Sequence, residues 1–467
     1  MTPLAGQPIL TAAAMRAAEA VAIEQGATVD SLMARAGREV AAVVLRLASG
    51  SPVLVLCGPG NNGGDGYVVA TALAAAGLPV RVAATGAPTS DAAKNARAGW
   101  KGPVEAMADV TPAPVLVDAL FGTGLSRPLD TAVSGALARC VAAARLSIAV
   151  DLPSGVATDD GAVLGTVPVF DLTLALGAAK PSHLLQPAAR HCGQVRVLDI
   201  GIVVDSKLAV LGRPSLPRPG PAAHKYSRGM VAIVGGELPG AAELASQAAL
   251  RSGAGYVLLL AEGGGQAPHA IVRRPFDAGA LDDKRIGAVL VGPGLGRGPE
   301  AETRLYQALA SAAPLVIDGD ALHLLDKDRL ALVRDRDAPA IMTPHAGEFD
   351  ALFGRDKSGR SGSKIDRARA AAALAGATIV FKGADTVIAS PDGAVRVAQA
   401  ATPWLSTAGT GDVLAGAIGA SLAAEPQAPF EAACAGVWLH AEAARRLGPA
   451  FIADDLAKAL TAARAAS

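Results

Sequence analysis

Between Gly212 and Pro221 the chain reads Gly-Arg-Pro-Ser-Leu-Pro-Arg-Pro-Gly-Pro, with four prolines in eight positions. Proline lacks a backbone donor and fixes φ, so this stretch can join neither a helix interior nor a central strand. The 467 residues are also too many for one ordinary core. The prolines therefore predict a boundary: a first domain over 1–212, a Pro-rich linker over 213–223 and a second domain over 224–467. The alternative, a long surface loop within one domain, is disfavoured because each side carries its own full set of strand-like runs.

In the first part, short apolar runs alternate with helical patterns. Ser51–Gly58 reads as a buried parallel strand, followed by a Gly-rich loop and a helix from about Tyr67 to Ala76. Further strands are expected at Pro79–Thr85, Pro114–Leu120, Ser147–Leu152, Asp171–Leu176 and Gln194–Ile200. The second part repeats the style at Met230–Gly235, Tyr256–Leu260, Ala288–Gly292, Pro314–Asp318, Ala340–Thr343 and Thr378–Lys382, then turns helical from Asp412. Strands separated by helices imply right-handed crossovers, so the expected fold class is α/β with two doubly wound domains.

Hydrophobic residues make up 51% of the chain and charged residues 18%, enough apolar material for two cores. Lys plus Arg and Asp plus Glu are both 42, so neither nucleic acid nor an acidic membrane would meet an attractive field. The opening Met1–Met15 lacks a basic region followed by an apolar one, and no run approaches the ~18 apolar residues of a membrane span. Cys57, Cys140, Cys192 and Cys434 lie far apart, and the seven histidines show no close spacing suited to zinc. A reducing cytoplasm is the expected location.

Pro59-Gly-Asn-Asn-Gly-Gly-Asp-Gly66 falls where a strand ends and a helix begins. In open α/β sheets ligands bind outside the carboxyl ends of strands, where glycines admit a ligand and a helix N-terminus offers free N–H groups. A tight turn would need the glycines, but not two Asn and an Asp. The runs Val117–Leu125 and Val150–Gly155 each end a strand with an Asp. Three neighbouring strand ends would form one oxygen-lined pocket, suited to a hard cation or to a ribose and amide.

Ser406-Thr-Ala-Gly-Thr-Gly-Asp412 precedes an apolar helix. Small residues there expose several N–H groups to one point, an anion hole for a transferring phosphoryl group. Asp412 in the first turn could accept a proton from a substrate hydroxyl, although an N-terminal Asp also favours the helix dipole. Lys382–Thr386 joins two strands and could hold a nucleotide. His345, after Pro344, could equally be a helix cap.

The motif Asn61–Gly66, together with Leu32–Gly37, Val117–Leu125, Asp151–Gly155, the lysine of Leu176–His183 and Leu198–Ile202, resembles the epimerase half of NAD(P)H-hydrate repair enzymes over residues 10 to about 205. The resemblance implies a Rossmann-like first domain that interconverts the R and S hydrates. Asn61, Asn62, Gly63, Gly64, Asp65, Gly122, Thr123, Gly124, Leu125, Ser126, Arg127, Pro128 and Asp151 would contact the hydrated nucleotide. Asn62, Asp118 and Ser154 would hold potassium, with Asp118 also the acid/base group.

His224–Gly229, Ala248–Gly255, Val291–Arg297, Thr343–Phe349, Lys382–Thr386 and Thr407–Gly416 likewise resemble the NAD(P)H-hydrate dehydratase branch of the ribokinase-like superfamily, over about 220 to 462. By that resemblance Ala242, Gly294, His345 and Asp412 would face the hydrate, with Asp412 catalytic. Lys382, Gly383, Ala384, Asp385, Thr386 and Gly411 would face ADP carrying Mg2+. The expected ligands are NADHX, NADPHX and ADP, and the expected assembly is a homo-oligomer, with no nucleic acid or membrane partner. The stretch Glu262–Gln266 matches no pattern. Two rival readings remain: a small-molecule kinase, which leaves the Asn61–Gly66 domain unexplained, and a first domain that only binds a nucleotide or protein, which needs no intact cation cage.

Overall fold

The computed structural model describes residues 1–262, 268–277, 279–354 and 362–467. Of the unmatched stretch at 262–266, all but Glu262 falls outside the described residues. The chain divides into two compact units, Met1–Val210 and Leu211–Ser467. The Pro-rich stretch forms no helix or strand and belongs to the second unit, where Arg464 donates to the Pro217 carbonyl.

The first unit is built on a sheet that runs, from one edge, Val104–Ala106, Val80–Ala84, Val53–Cys57, Val115–Ala119, Leu146–Val150, Leu172–Leu176 and Gln194–Leu198. These strands are parallel, and Thr2–Pro3 adds an antiparallel edge to Gln194–Leu198. Counted along the chain, the parallel order is 3-2-1-4-5-6-7. Val53–Cys57 is buried throughout because both faces are covered. Its Val53, Val55 and Cys57 pack with the helices Val29–Ala48 and Asn61–Ala75, and its Leu54 and Leu56 with Thr131–Ala143. A strand buried on both faces reads as a continuous apolar run, which is why it is legible in the sequence.

One expectation is corrected. The stretch from Asn61 to Gly66 is not a loop but the first turns of the helix Asn61–Ala75. Its glycines serve close approach rather than flexibility. A Cβ at Gly63 would stand 1.8 Å from the Gly58 carbonyl oxygen, and one at Gly66 would stand 2.7 Å from the Ala119 Cβ. The helix is drawn so tightly onto the strand ends that no side chain fits between.

The second unit repeats the order 3-2-1-4-5-6-7 with parallel strands Val272–Arg274, Tyr256–Leu260, Met230–Val234, Ile286–Val291, Leu315–Ile317, Ala340–Met342 and Thr378–Phe381. Val387–Ala389 and Val395–Val397 follow as antiparallel strands. The strands Val104–Ala106, Val272–Arg274 and Val395–Val397 went unread in the sequence; each has three residues interrupted by charge, so none leaves an unbroken apolar run. The helices Pro239–Ser252 and Thr410–Ala424 touch through their backbones at Gly416, where a Cβ would come within 2.1 Å of the Ala245 carbonyl oxygen. No helix among the described residues is long and apolar enough to cross a membrane, and the four cysteines are free.

These contacts predict opposite outcomes for two helical glycines. Gly416→Ala should destabilise the second unit by about 1–3 kcal/mol or more, because its methyl group meets backbone. Gly135→Ala, in Thr131–Ala143 with nothing within 4 Å of its Cβ position, should stabilise the first unit by about 0.5–1 kcal/mol. Urea unfolding midpoints of the two variants check both signs.

Candidate active sites

In the first unit the strand order reverses between Val53–Cys57 and Val115–Ala119. The loops leaving these strands diverge there and open a crevice. A cavity of about 540 Å3 occupies it. Asn61, Asn62, Asp65, Asp151 and the backbone from Gly122 to Leu125 line it, with Glu19 and Lys180. A larger cavity of about 1160 Å3 lies beside the Pro-rich stretch in the second unit and is lined by none of the sequence-predicted site residues.

Charge is unevenly placed around the first crevice. Lys180 is fully buried, ion-paired to Asp151 Oδ1, and donates to the Leu176 carbonyl at 2.7 Å. Asp151 also accepts from the Leu176 N–H at 3.1 Å, and its carbonyl lies 2.8 Å from His183 Nε2. Its φ of 65° is uncommon for a residue with a Cβ, and these contacts hold it there. Burial and the Lys180 charge pull the His183 imidazole down to about 4, so the ring is neutral at physiological pH. Asp65 is 8% exposed and finds no hydrogen-bond partner among the described residues. Burial, then the charges of Asp151 and Glu19, lift its carboxyl well above the usual carboxylate range, against the pull of Lys180.

Asp118 lies behind the cavity wall. It is fully buried, with Oδ1 accepting from the Leu120 N–H at 3.1 Å and the Ser154 hydroxyl at 2.8 Å, and Oδ2 from the Ser154 N–H at 2.9 Å. Burial lifts its carboxyl to about 6, against those hydrogen bonds. Asn62 has a buried amide nitrogen without a partner among the described residues.

In the second unit, the strands Leu315–Ile317, Ala340–Met342 and Thr378–Phe381 end at Asp318, Thr343 and Lys382. The Thr343 hydroxyl donates to Asp318 Oδ1 at 2.6 Å, and Lys382 Nζ does so at 2.7 Å. Glu348 Oε2 stands 3.9 Å from Lys382 Nζ. Burial opposes the Lys382 charge, yet Asp318, Glu348 and Asp412 together outweigh it and hold the ammonium above its usual range. The helix Thr410–Ala424 starts at this point: Gly409, at φ 87°, turns the chain into it, and a Cβ at Gly411 would be 3.7 Å from Lys382 Nζ. Burial first, then Asp318, pushes the Asp412 carboxyl up to about 6.

The predicted residues fall into groups. Asn61, Asn62, Asp65, Gly122–Leu125 and Asp151 share one cavity, whereas Gly63 and Gly64 are packed against protein and Ser126, Arg127 and Pro128 lie exposed outside it. Lys382, Gly411 and Asp412 converge. Asp385 is tied to Lys364 at 2.6 Å, and Thr386 closes the turn by donating to the Gly383 carbonyl at 2.8 Å, with Ala384 exposed between them. Gly294 is buried at φ 63°, with its carbonyl accepting from the Leu238 N–H at 2.9 Å. Ala242 is wholly buried in the helix Pro239–Ser252, while Ala241 is half-exposed. His345 caps the helix Ala346–Phe353 through a reciprocal bond with Glu348, and its ring remains largely exposed. Sequence reasoning missed Glu19, which no motif marks, and Asp318, whose strand-end position was its only signal. It also missed the grouping of His323, His345 and Glu348, whose ligand atoms lie within 4.8 Å although the two histidines are far apart in sequence.

Comparison with known proteins meets this geometry from outside. The family described as YjeF-related protein N-terminus matches residues 29–182, and the NAD(P)H-hydrate dehydratase family matches residues 231–463. The Bifunctional NAD(P)H-hydrate repair enzyme Nnr of Salinibacter ruber is 36% identical, over 94% of this chain and 92% of its own. The protein of the same name from Escherichia coli is 34% identical, over 91% of this chain and 87% of its own. Among solved structures, an ADP/ATP-dependent NAD(P)H-hydrate dehydratase from Bacillus subtilis is 26% identical, covers 53% of this chain and 93% of its own, and gives a TM-score of 0.45. With both halves matched and relatives aligned nearly end to end, the chain belongs to the family of bifunctional NAD(P)H-hydrate repair enzymes.

Proposed function

We propose that this chain returns hydrated NADH and NADPH to the working coenzymes in two steps, one in each unit. The first unit interconverts the R and S hydrates, and the second dehydrates the S hydrate with ADP, releasing AMP and phosphate. The observation that carries the second step is the meeting of Asp412, Lys382 and the amides opening the helix Thr410–Ala424 at one point.

Hydroxide is a poor leaving group, and phosphate is a good one. Asp412 takes the proton from the substrate hydroxyl as its oxygen attacks the β-phosphorus of ADP and AMP departs. The Gly409–Gly411 amides and Lys382 hold the charge on the transferring group. The ring nitrogen's lone pair then expels phosphate, and loss of a ring proton restores the double bond. Mg2+ bound with the nucleotide supplies neutralisation of its phosphate oxygens.

In the first unit, Asn62, Asp118 and Ser154 are the residues to hold potassium. Asp118 and Ser154 already meet, and the Asn62 amide nitrogen has no bond to lose if the side chain turns its oxygen to a cation. One carboxylate among neutral oxygens suits a large monovalent ion better than Mg2+, which demands tight octahedral geometry.

Two predictions test these assignments. Asp412→Asn should lower coenzyme recovery on the order of 100-fold while leaving ADP binding intact, because an amide cannot act as the base. The wild-type rate should fall as pH drops through about 6, since protonated Asp412 cannot accept a proton; steady-state kcat against pH checks it. Asp118→Ala should leave dehydration of the S hydrate unchanged, slow recovery of the R hydrate to its spontaneous rate, and remove stabilisation of the first unit by potassium. Epimer-resolved kinetics, with melting in potassium and in a bulky organic cation, measure all three effects.

A further inference from the structure

We propose that Asp65 is the group that gives and takes the proton during epimerisation, beside an Asp151 carboxylate held in place by Lys180; this rests on the epimerase reading above. Three carboxyl groups, those of Asp65, Asp151 and Glu19, line the cavity. Asp151 is committed to Lys180 and the Leu176 N–H. Glu19, on the helix Ala12–Glu24, is only half-buried and lies with Arg16 at the cavity wall. Asp118 accepts three hydrogen bonds from Ser154 and Leu120 and stands behind the wall. Asp65 alone of these is buried in the wall without a hydrogen-bond partner among the described residues. An unpaired carboxylate in so enclosed a place costs far more than the neutral acid. The groups facing it are Asp151, Glu19 and Lys180, and the two carboxylates favour the proton-bearing form that Lys180 opposes.

The chemistry needs such a group. The hydrated carbon carries a hydroxyl and is bonded to the ring nitrogen. Asp65 donates its proton to that hydroxyl, the carbon–oxygen bond breaks, and the nitrogen's lone pair forms a carbon–nitrogen double bond as water leaves. The planar cation sits among Asp151, Glu19 and the new Asp65 carboxylate. Water adds to the opposite face, and its surplus proton returns to Asp65 through water. No atom or electron is consumed, and the hydroxyl has changed sides.

The test uses the full chain and a purified R hydrate without ADP, following appearance of the S hydrate by chromatography. Asp65→Asn should cut exchange on the order of 100-fold through kcat with KM little changed, while S-hydrate dehydration with ADP is untouched. Asp65→Glu, which keeps the carboxyl group, should recover part of the loss. In the wild type, exchange should slow as pH rises, because the acid form is required. Near wild-type exchange by Asp65→Asn overturns the assignment. So does a wild-type rate that rises with pH, a result available even if a variant fails to fold. A wild-type chain that shows no exchange overturns the epimerase reading itself, and this inference with it.

Discussion

In both units, the first residues past two adjacent parallel strands are pressed together until backbone meets backbone, before their loops part. A Cβ at Gly58 would stand 1.8 Å from the Leu120 carbonyl oxygen, and one at Gly236 would stand 2.1 Å from that of Leu295. Each contact sits where the strand order turns back on itself, the point at which an open parallel sheet parts its loops. Glycine at these points lets the crevice form without a side chain filling it. The functional groups are then brought in by the ends of the strands alongside: Asp151 and Lys180 in one unit, Asp318, Thr343 and Lys382 in the other.

Both crevices place one lysine, Lys180 wholly buried and Lys382 partly buried, against several carboxyl groups, to different ends. Lys180 fixes Asp151 and leaves Asp65 unpaired in the wall, an arrangement suited to moving a proton beside a transient cation. Lys382 is drawn between Asp318, Glu348 and Asp412 and stands next to the amides of a helix start, an arrangement suited to a transferring phosphoryl group. Neither cluster is an efficient way to stabilise a fold, because desolvating several charges costs more than pairing them returns. Their cost is understandable if the charges serve chemistry.

Much of this was legible in the sequence, and for physical reasons. Strands buried on both faces leave unbroken apolar runs such as Val53–Cys57, and the motifs at Asn61–Gly66 and Thr407–Gly416 are specific enough to mark the sites. What stayed hidden depends on tertiary proximity. The glycines of Asn61–Gly66 read as a loop because nothing local reveals Met33 against Gly64 or Ala119 against Gly66. Glu19 reaches the cavity from a helix far along the chain, and Asp318 matters only because Lys382 and Thr343 converge on it from other strands. Short strands interrupted by charge, such as Val395–Val397, leave no apolar run to find.

One chain clears both epimers by joining epimerisation to phosphoryl-driven dehydration. The most direct measurement mixes the purified chain with an equilibrium mixture of R and S hydrates, Mg2+, potassium and ADP, and follows reduced-coenzyme absorbance and AMP together. Both epimers should disappear, and each reduced coenzyme recovered should be matched by one AMP. Absorbance that stops at the S fraction would contradict the epimerase half, and AMP released while a phosphorylated hydrate accumulates would mark a simple kinase instead.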